Sequence, residues 1–457
     1  MAMARMEVRK MKRLPRIKRV LSAIAVAMPL ATAAQADGFN FGVDAGIGES
    51  DNITLVETNK VSQTLAIADL DFSAKEKGSR LDEDIVGDFT YLDFLQHAYG
   101  SEVVGRLIGS VRYALVPESL TWTLQDNWGQ EQLSPFAPLV PSNQENVNYL
   151  STGPDWYAHL GATNFLDIGA RYSRADYGAT PISNDRLLGS LQLGHEISAV
   201  SSLSLNVSVE RVLYENTVLN TNYDLSNAYA RYELHGARTD FSFNLGVNRV
   251  TQDGAANSGL STQLELKRKI SDAANITFTA GRELTDASAG FNALQSSNAI
   301  NAVNVNSVVS NAPAAITSDI FLRDYLMAAW SYERHRTTFG LSARWEKDDY
   351  LNQSQFDGTR NRLDINIERQ LTHALSAQIF GNVYQSRYDH DLFIVTDTGY
   401  TEQDGLYGLS LVLRQGRGLE IRLRYDHLSR DISAGAGTGY GENRVFLTVG
   451  YRPQPRT

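Results

Sequence analysis

Strict alternation of apolar and polar residues in the last fifty positions, Gln403 to Arg452, constrains this chain more than any other feature. Leu409, Leu411 and Leu413 alternate with Ser410, Val412 and Arg414. Leu419, Ile421, Leu423 and Tyr425 alternate with Glu420, Arg422, Arg424 and Asp426. Val445, Leu447, Val449 and Tyr451 alternate with Arg444, Phe446, Thr448 and Gly450. Successive side chains of an extended strand point to opposite faces, so each run predicts a strand with one apolar and one polar side. A half-buried strand of a soluble sandwich would read the same way, and the rest of the chain has to decide.

The same pattern recurs from Phe39–Ile47 onward, through Leu120–Trp128, Phe165–Tyr172, Leu203–Leu213 and Phe339–Trp345 among others, and gives about 20 strands. No segment sustains a helical period, which argues against βαβ architecture. Short connections, such as Val116–Ser119, Gly161–Asn164, Glu333–Thr337 and Gln370–Ala374, alternate with long ones. The long set includes Gln130–Gln144, Arg174–Asn184, Thr251–Ser258, Lys347–Arg360 and Ser386–Asp404. Transmembrane barrels have this parity, with short periplasmic turns and long external loops. Backbone groups in lipid must all be paired, so a sheet of this size in a membrane has to close on itself. The fold expected is an all-β, antiparallel up-and-down transmembrane barrel of about 20 strands, 18–20 being compatible with the pattern. Trp128, Tyr177, Tyr214, Tyr223, Trp345, Tyr350, Tyr388 and Tyr440 fall near strand ends, where aromatic girdles meet the membrane interfaces.

The N-terminus fits that destination. Eight basic residues between Arg5 and Arg19 precede an apolar run, Val20 to Ala34, that ends in Ala34-Gln35-Ala36. This reads as a signal peptide over 1–36, with the barrel over 37–457. Its removal takes eight basic and one acidic residue from totals of 42 and 52, leaving a net charge near −17. That balance disfavours nucleic acid as a partner. Zero cysteine excludes disulfides and thiolate metal sites. The expected location is the outer membrane of a Gram-negative bacterium. The partners expected there are outer-membrane lipid, lipopolysaccharide and the barrel assembly machinery.

If the apolar face meets lipid, the other face is a lumen. Asp167, Arg171, Glu265, Lys267, Arg344, Asp364, Glu368, Glu420, Arg422 and Arg424 fall on it. These charges could brace the wall through salt bridges, or could line a permeation path suited to a hydroxyl-rich solute. Tyr325, Phe380, Tyr384 and Phe446 share that face and could stack on sugar rings or simply fill space. Barrels of 16–18 strands already leave a channel, so a wider one needs narrowing. The uncharged segment Ala287–Ser318, rich in Asn, Ala, Ser and Val, is the candidate for folding inward.

Catalytic motifs are missing from the sequence: there is no His-Glu-x-x-His, no Gly-x-Ser-x-Gly and no Walker loop. Gly435 to Gly441 joins two strands without a following helix, so it is no phosphate cradle. Asp389-His390-Asp391 is read as a solvated loop before a metal site. No cofactor, metal or enzymatic role is expected.

Gly42-Val43-Asp44, followed by Ser50-Asp51-Asn52-Ile53, resembles the opening of a family of outer-membrane β-barrel porins encoded in exopolysaccharide export loci, including those associated with PEP-type protein sorting. The resemblance in architecture covers about residues 38–452. It implies an exit channel for secreted polysaccharide, working with a periplasmic polysaccharide-export protein. Three other roles stay open on the residues alone: a diffusion porin for small solutes, a structural or adhesive surface barrel with a filled lumen, and a barrel enzyme whose catalytic residues come together only in space. The chain departs from a common barrel ending, since Arg452–Thr457 follow the last aromatic, Tyr451.

Overall fold

The computed structural model describes residues 38–300, 315–390, 399–416, 418–435 and 437–453, with backbone alone for 294–300. The residues of the expected signal peptide lie outside that range. Twenty strands run in chain order. They are β1 (Phe39–Ser50), β2 (Gln63–Lys77), β3 (Leu81–Phe94), β4 (Glu102–Val116), β5 (Leu120–Gln132), β6 (Gln144–His159) and β7 (Asn164–Tyr177). Next come β8 (Asn184–Ser198), β9 (Ser201–Tyr214), β10 (Tyr223–His235), β11 (Thr239–Gln252), β12 (Ala255–Ser271) and β13 (Ala274–Asp286). One helix, α1 (Ala287–Ile300), follows. The wall then continues through β14 (Ile320–Arg334), β15 (Thr337–Tyr350), β16 (Gly358–Gln370), β17 (Leu375–Tyr388), β18 (Tyr400–Gln415), β19 (Leu419–Ala434) and β20 (Tyr440–Tyr451).

Each strand pairs antiparallel with its neighbour in sequence, and β1 pairs with β20 from Val43↔Tyr451 to Ser50↔Arg444. The sheet is therefore a closed 20-stranded barrel. With strands about 4.8 Å apart and tilted about 40°, its backbone walls stand roughly 40 Å apart.

Strand parity sorts the two faces cleanly. On β9, Leu203, Leu205, Val207 and Val209 are exposed while Ser204 and Asn206 are buried. On β20, Val445, Leu447 and Val449 are exposed while Glu442 and Thr448 are buried. An apolar surface continued around a whole barrel is too large for water and fits acyl chains. The polar face is the one enclosed. The molecule is thus built inside out relative to a soluble barrel, and its largest fully buried side chains include Arg186, Gln63, Glu402 and Glu442.

Two sequence expectations change. The connection placed at Thr251–Ser258 is a tight turn, Asp253-Gly254, with Gln252 paired to Ala255. Both turn residues have positive φ, 50° and 79°, the conformation that favours Asp-Gly in two-residue hairpins. The flanking strand ends, Arg249–Gln252 and Ala255–Ser258, mix polar and small apolar residues on both faces, so alternation fades although pairing continues. The aromatic set also divides. Trp345 faces outward, 38% exposed, and Trp128 packs beside Phe89 on the same outer face at 5.5 Å. Tyr177, Tyr214, Tyr223, Tyr350 and Tyr388 are buried on the inner face, and Tyr440 lies there under Arg430. These six fill space beneath inward-folded segments and are not a girdle. Parity decides this, because each sits at an inward position of its strand.

Candidate functional site

The lumen is the candidate site, and its upper half is occupied. Three segments from the long-loop end fold inward. The first is α1. Asp286 ends β13 and accepts hydrogen bonds from the backbone N–H groups of Ser288 (2.9 Å) and Ala289 (3.2 Å), an N-cap that starts the helix. The same carboxylate is gripped by Arg186 of β8 at 2.5 and 3.0 Å and receives the Tyr223 hydroxyl at 2.6 Å. A bidentate guanidinium–carboxylate pair fixes angle as well as distance. The helix thereby leaves β13 pointing into the barrel. Phe291 is buried against Val147, Tyr149 and Tyr214, and the Asn127 amide donates to Asn292 on the far wall. Residues 287–292 and 315–318 of Ala287–Ser318 therefore pack inside the barrel, as the segment's lack of charge led one to expect.

The second segment is the 133–143 loop. Its Phe136 reaches across to Tyr388 of β17 (4.7 Å) and Tyr400 of β18 (5.1 Å). Asn143 shapes it by accepting from the Ser134 N–H and donating to the carbonyls of Ser134, Ala137 and Pro138. The third segment is the loop after β1. Buried Asn52 donates to the carbonyls of Val56 (2.7 Å) and Gly441 (3.1 Å), tying this loop to the start of β20.

Below these segments the wall carries paired charges. All fourteen residues placed on the lumen face from the sequence lie at inward positions of their strands. Arg171 pairs with Asp155 at 2.5 Å, with Asp167 two strand positions below on the same face; Lys267 pairs with Glu265 at 2.5 Å. Arg344 pairs with Glu346, and Asp364 with Arg362 (2.7 Å). Glu420 takes Arg422 at 2.6 Å, and Arg424 holds Asp426 at 2.7 Å. Glu368 shares the inner face of β16 with Asp364. Tyr384 is buried. The other three aromatics each lie across a glycine that is their register partner: Phe446 over Gly48, Phe380 over Gly408 and Tyr325 over Gly281. Guanidinium groups cover two of these rings, Arg424 over Phe380 (4.8 Å) and Arg444 over Phe446 (5.8 Å).

Several inward charges escaped the sequence reading. Arg323 and Arg360 sandwich Asp348 and Glu346, all four nearly inaccessible. Arg430 pairs with Asp404 (2.7 Å) and Glu402 (3.3 Å). These groups lie above the lipid belt, where the outer face turns polar and apolar alternation stops. Continuing the parity Arg344, Glu346, Asp348 past Trp345 would have found them. The barrel seam is also charged. Arg452 turns inward after β20 and meets Asp44 (2.9 Å), Glu420 (3.0 Å) and Asp71. At the other end Ser50 donates to Glu442, and Asp51 accepts from the backbone and side chain of Asn443. The Gly42-Val43-Asp44 and Ser50-Asp51-Asn52 motifs thus clamp the two ends of the β1–β20 closure.

Between the ion pairs a recess of about 400 Å³ opens on the β13–β19 side of the wall. Arg362, Asn366, Gln378, Asn382, Ser410 and Arg424 line it beside Phe380. A smaller cavity of about 140 Å³ lies above, under Leu55 and Pro141 and beside Tyr384 and Arg430. The Asn366 Nδ2 and Arg444 Nε donors have no protein acceptor among the described residues. No cluster of metal-ligating side chains occurs among the described residues; Asp389-His390-Asp391 lies partly outside them.

No protein-family model and no curated protein matches this chain. Solved structures with which it aligns include the FrpB iron transporter of Neisseria meningitidis (F3-3 variant), at 10% identity over 93% of this chain and 83% of that one, TM-score 0.42. OccK2 (OpdF) of Pseudomonas aeruginosa aligns at 10% identity over 91% and 98%, TM-score 0.36. OpdQ of the same organism aligns at 10% identity over 91% and 100%, TM-score 0.35.

Proposed function

We propose that this chain is an outer-membrane channel for hydroxyl-rich solutes and that its cargo is secreted polysaccharide. The carrying observation is the 400 Å³ recess: amides, a hydroxyl, two guanidiniums and an aromatic ring on one wall of an otherwise charge-neutralised lumen. The amides can donate to and accept from sugar hydroxyls, while the guanidiniums only donate and have their charge offset by Asp364 and Asp426. Lipid-facing strands and long loops on one side support placement in the outer membrane, with the loop end outside. The export direction, and a periplasmic export protein as partner, rest on the resemblance of the N-terminal motifs.

A second reading, uptake of small solutes by diffusion, is favoured by the size of the recess, which is that of a small-ligand site. Two experiments separate the readings. Deletion of the gene with measurement of secreted polysaccharide should lower the yield; a normal yield defeats export and leaves the channel. In planar bilayers, oligosaccharides should block the single-channel current, and Asn382→Ala with Gln378→Ala should weaken that block. A barrel with no conductance would instead be the structural or adhesive one.

A further inference from the structure

The outer rim at the short-turn end carries an uncompensated cationic arc. Arg268 of β12, Arg334 of β14 and Arg369 of β16 occupy outward positions, continuing the faces of Leu260, Trp330 and Ile365. Arg336 lies in the β14–β15 turn and Arg238 in the β10–β11 turn, next to Thr239, the register partner of Arg268, and all five are exposed. None of the five side chains has an ion pair or hydrogen bond among the described residues. Nearby carboxylates do not reach them. Asp240, Glu333 and Glu368 fall on inward positions, and Asp272 in its turn pairs with Lys269 at 3.4 Å. His235 is beside Asp240 at 3.3 Å, and His335 and His373 are exposed in turns. The rim is not basic all round, for Glu76 and Glu83 stand opposite each other on β2 and β3.

The arc sits directly beyond an aromatic layer. Tyr232 contacts Phe241 at 6.3 Å, and Trp330 contacts Phe339 at 4.9 Å and Tyr332 at 6.4 Å, all on the outward face. Aromatic side chains of this kind mark the level of lipid headgroups. Six strands about 4.8 Å apart spread the arc over roughly 25 Å, wide enough for several headgroups. Arginine, with a planar fork of donors, suits phosphodiester oxygens better than lysine does. A chain with a formal net charge of −10 has kept five free guanidiniums together at one interface.

We propose that Arg238, Arg268, Arg334, Arg336 and Arg369 form a binding site for anionic phospholipid headgroups in the leaflet at the short-turn end. The site rests on the reading of the chain as a membrane barrel. It is tested with the full-length mature barrel in nanodiscs of phosphatidylglycerol or of phosphatidylcholine. Lipid retained after detergent extraction is counted by native mass spectrometry, with the unfolding temperature as a second readout. The barrel should retain phosphatidylglycerol in preference to phosphatidylcholine. The triple variant Arg268→Gln, Arg334→Gln, Arg369→Gln should lose that preference about tenfold or more, given the attraction of each basic side chain to an anionic surface. Arg174→Gln with Arg211→Gln, which removes cations already paired at the opposite end, should leave it unchanged. Millimolar inorganic phosphate should not displace the lipid. Equal retention of the two lipids, displacement by free phosphate, or an unaltered triple variant would overturn the proposal. Should the triple variant fail to fold, Arg334→Gln and Arg369→Gln alone give the same comparison. A barrel that enters neither nanodisc would overturn the membrane reading first.

Discussion

Phe446 on the last strand lies flat across Gly48 on the first, and a Cβ on Gly48 would fall 2.3 Å from the ring's Cδ1. The pair closes the barrel where β20 meets β1, because only a residue without a side chain leaves the ring room on the wall. A glycine that weakens a strand is here compensated by an aromatic neighbour.

Gly48→Ala should therefore cost about 1–3 kcal/mol, the usual price of overpacking. Thermal unfolding in detergent measures it. Adding Phe446→Ala should recover part of the loss, and simple additivity in that cycle would show that the two residues are not coupled.

The Arg186–Asp286 pair anchors α1, with both side chains almost inaccessible. Asp286→Asn leaves the buried Arg186 guanidinium with only the more distant Glu210, at 3.6 Å, as counter-charge, at a cost toward the lower end of about 3–5 kcal/mol. The Asn side-chain oxygen can still cap the helix at Ser288 and Ala289, but without the bidentate grip of Arg186 the helix should lose its inward direction. Single-channel conductance should then rise above that of the wild type. Arg186 also faces Glu210 at 3.6 Å, so the triple variant Arg186→Met, Glu210→Gln, Asp286→Leu, which leaves no unpaired charge, should be more stable than Asp286→Asn alone.

Phe136 holds the 133–143 loop against Tyr388 and Tyr400. Phe136→Ala should free that loop from the opposite wall while the barrel itself stays folded. The expected result is faster permeation in liposome swelling with an unchanged heat-stable β signal. An unchanged permeation rate would mean that this loop does not narrow the path.

Asp51 gives the clamp outside the lipid belt a pH dependence. Slight burial acts to raise its carboxyl, but hydrogen bonds from Asn443 and the charge of Lys60 outweigh it and hold the group below the usual carboxylate range. A depressed folded pKa contributes stability above the unfolded value, near 3.9, and that contribution fades as pH falls through the folded one. Protection of the Asn52 and Asn443 amides, taken relative to the intrinsic exchange rate at each pH, should thus be high at neutral pH and fall only below about pH 4. In Asp51→Asn the protection should be lower at pH 7 and flat over that range.

Alternation, with the parity of short and long connections, was enough to indicate about twenty antiparallel strands and which side of each strand is apolar. Leu423 beside Arg424, or Leu363 beside Asp364, declares both faces at once, because a strand's side chains have a period of two and lipid tolerates only one kind. The same period put Arg422, Glu420, Phe380 and Tyr325 on the inner wall. Local sequence could not say who meets whom across the lumen. That Arg186 would find Asp286 a hundred residues on, that Phe136 would reach Tyr400, or that Arg452 would close on Asp44 depends on barrel closure and on loops folding inward. Those contacts are decided by how far apart a closed sheet of twenty strands holds its walls, and the pattern along one strand carries no record of that distance.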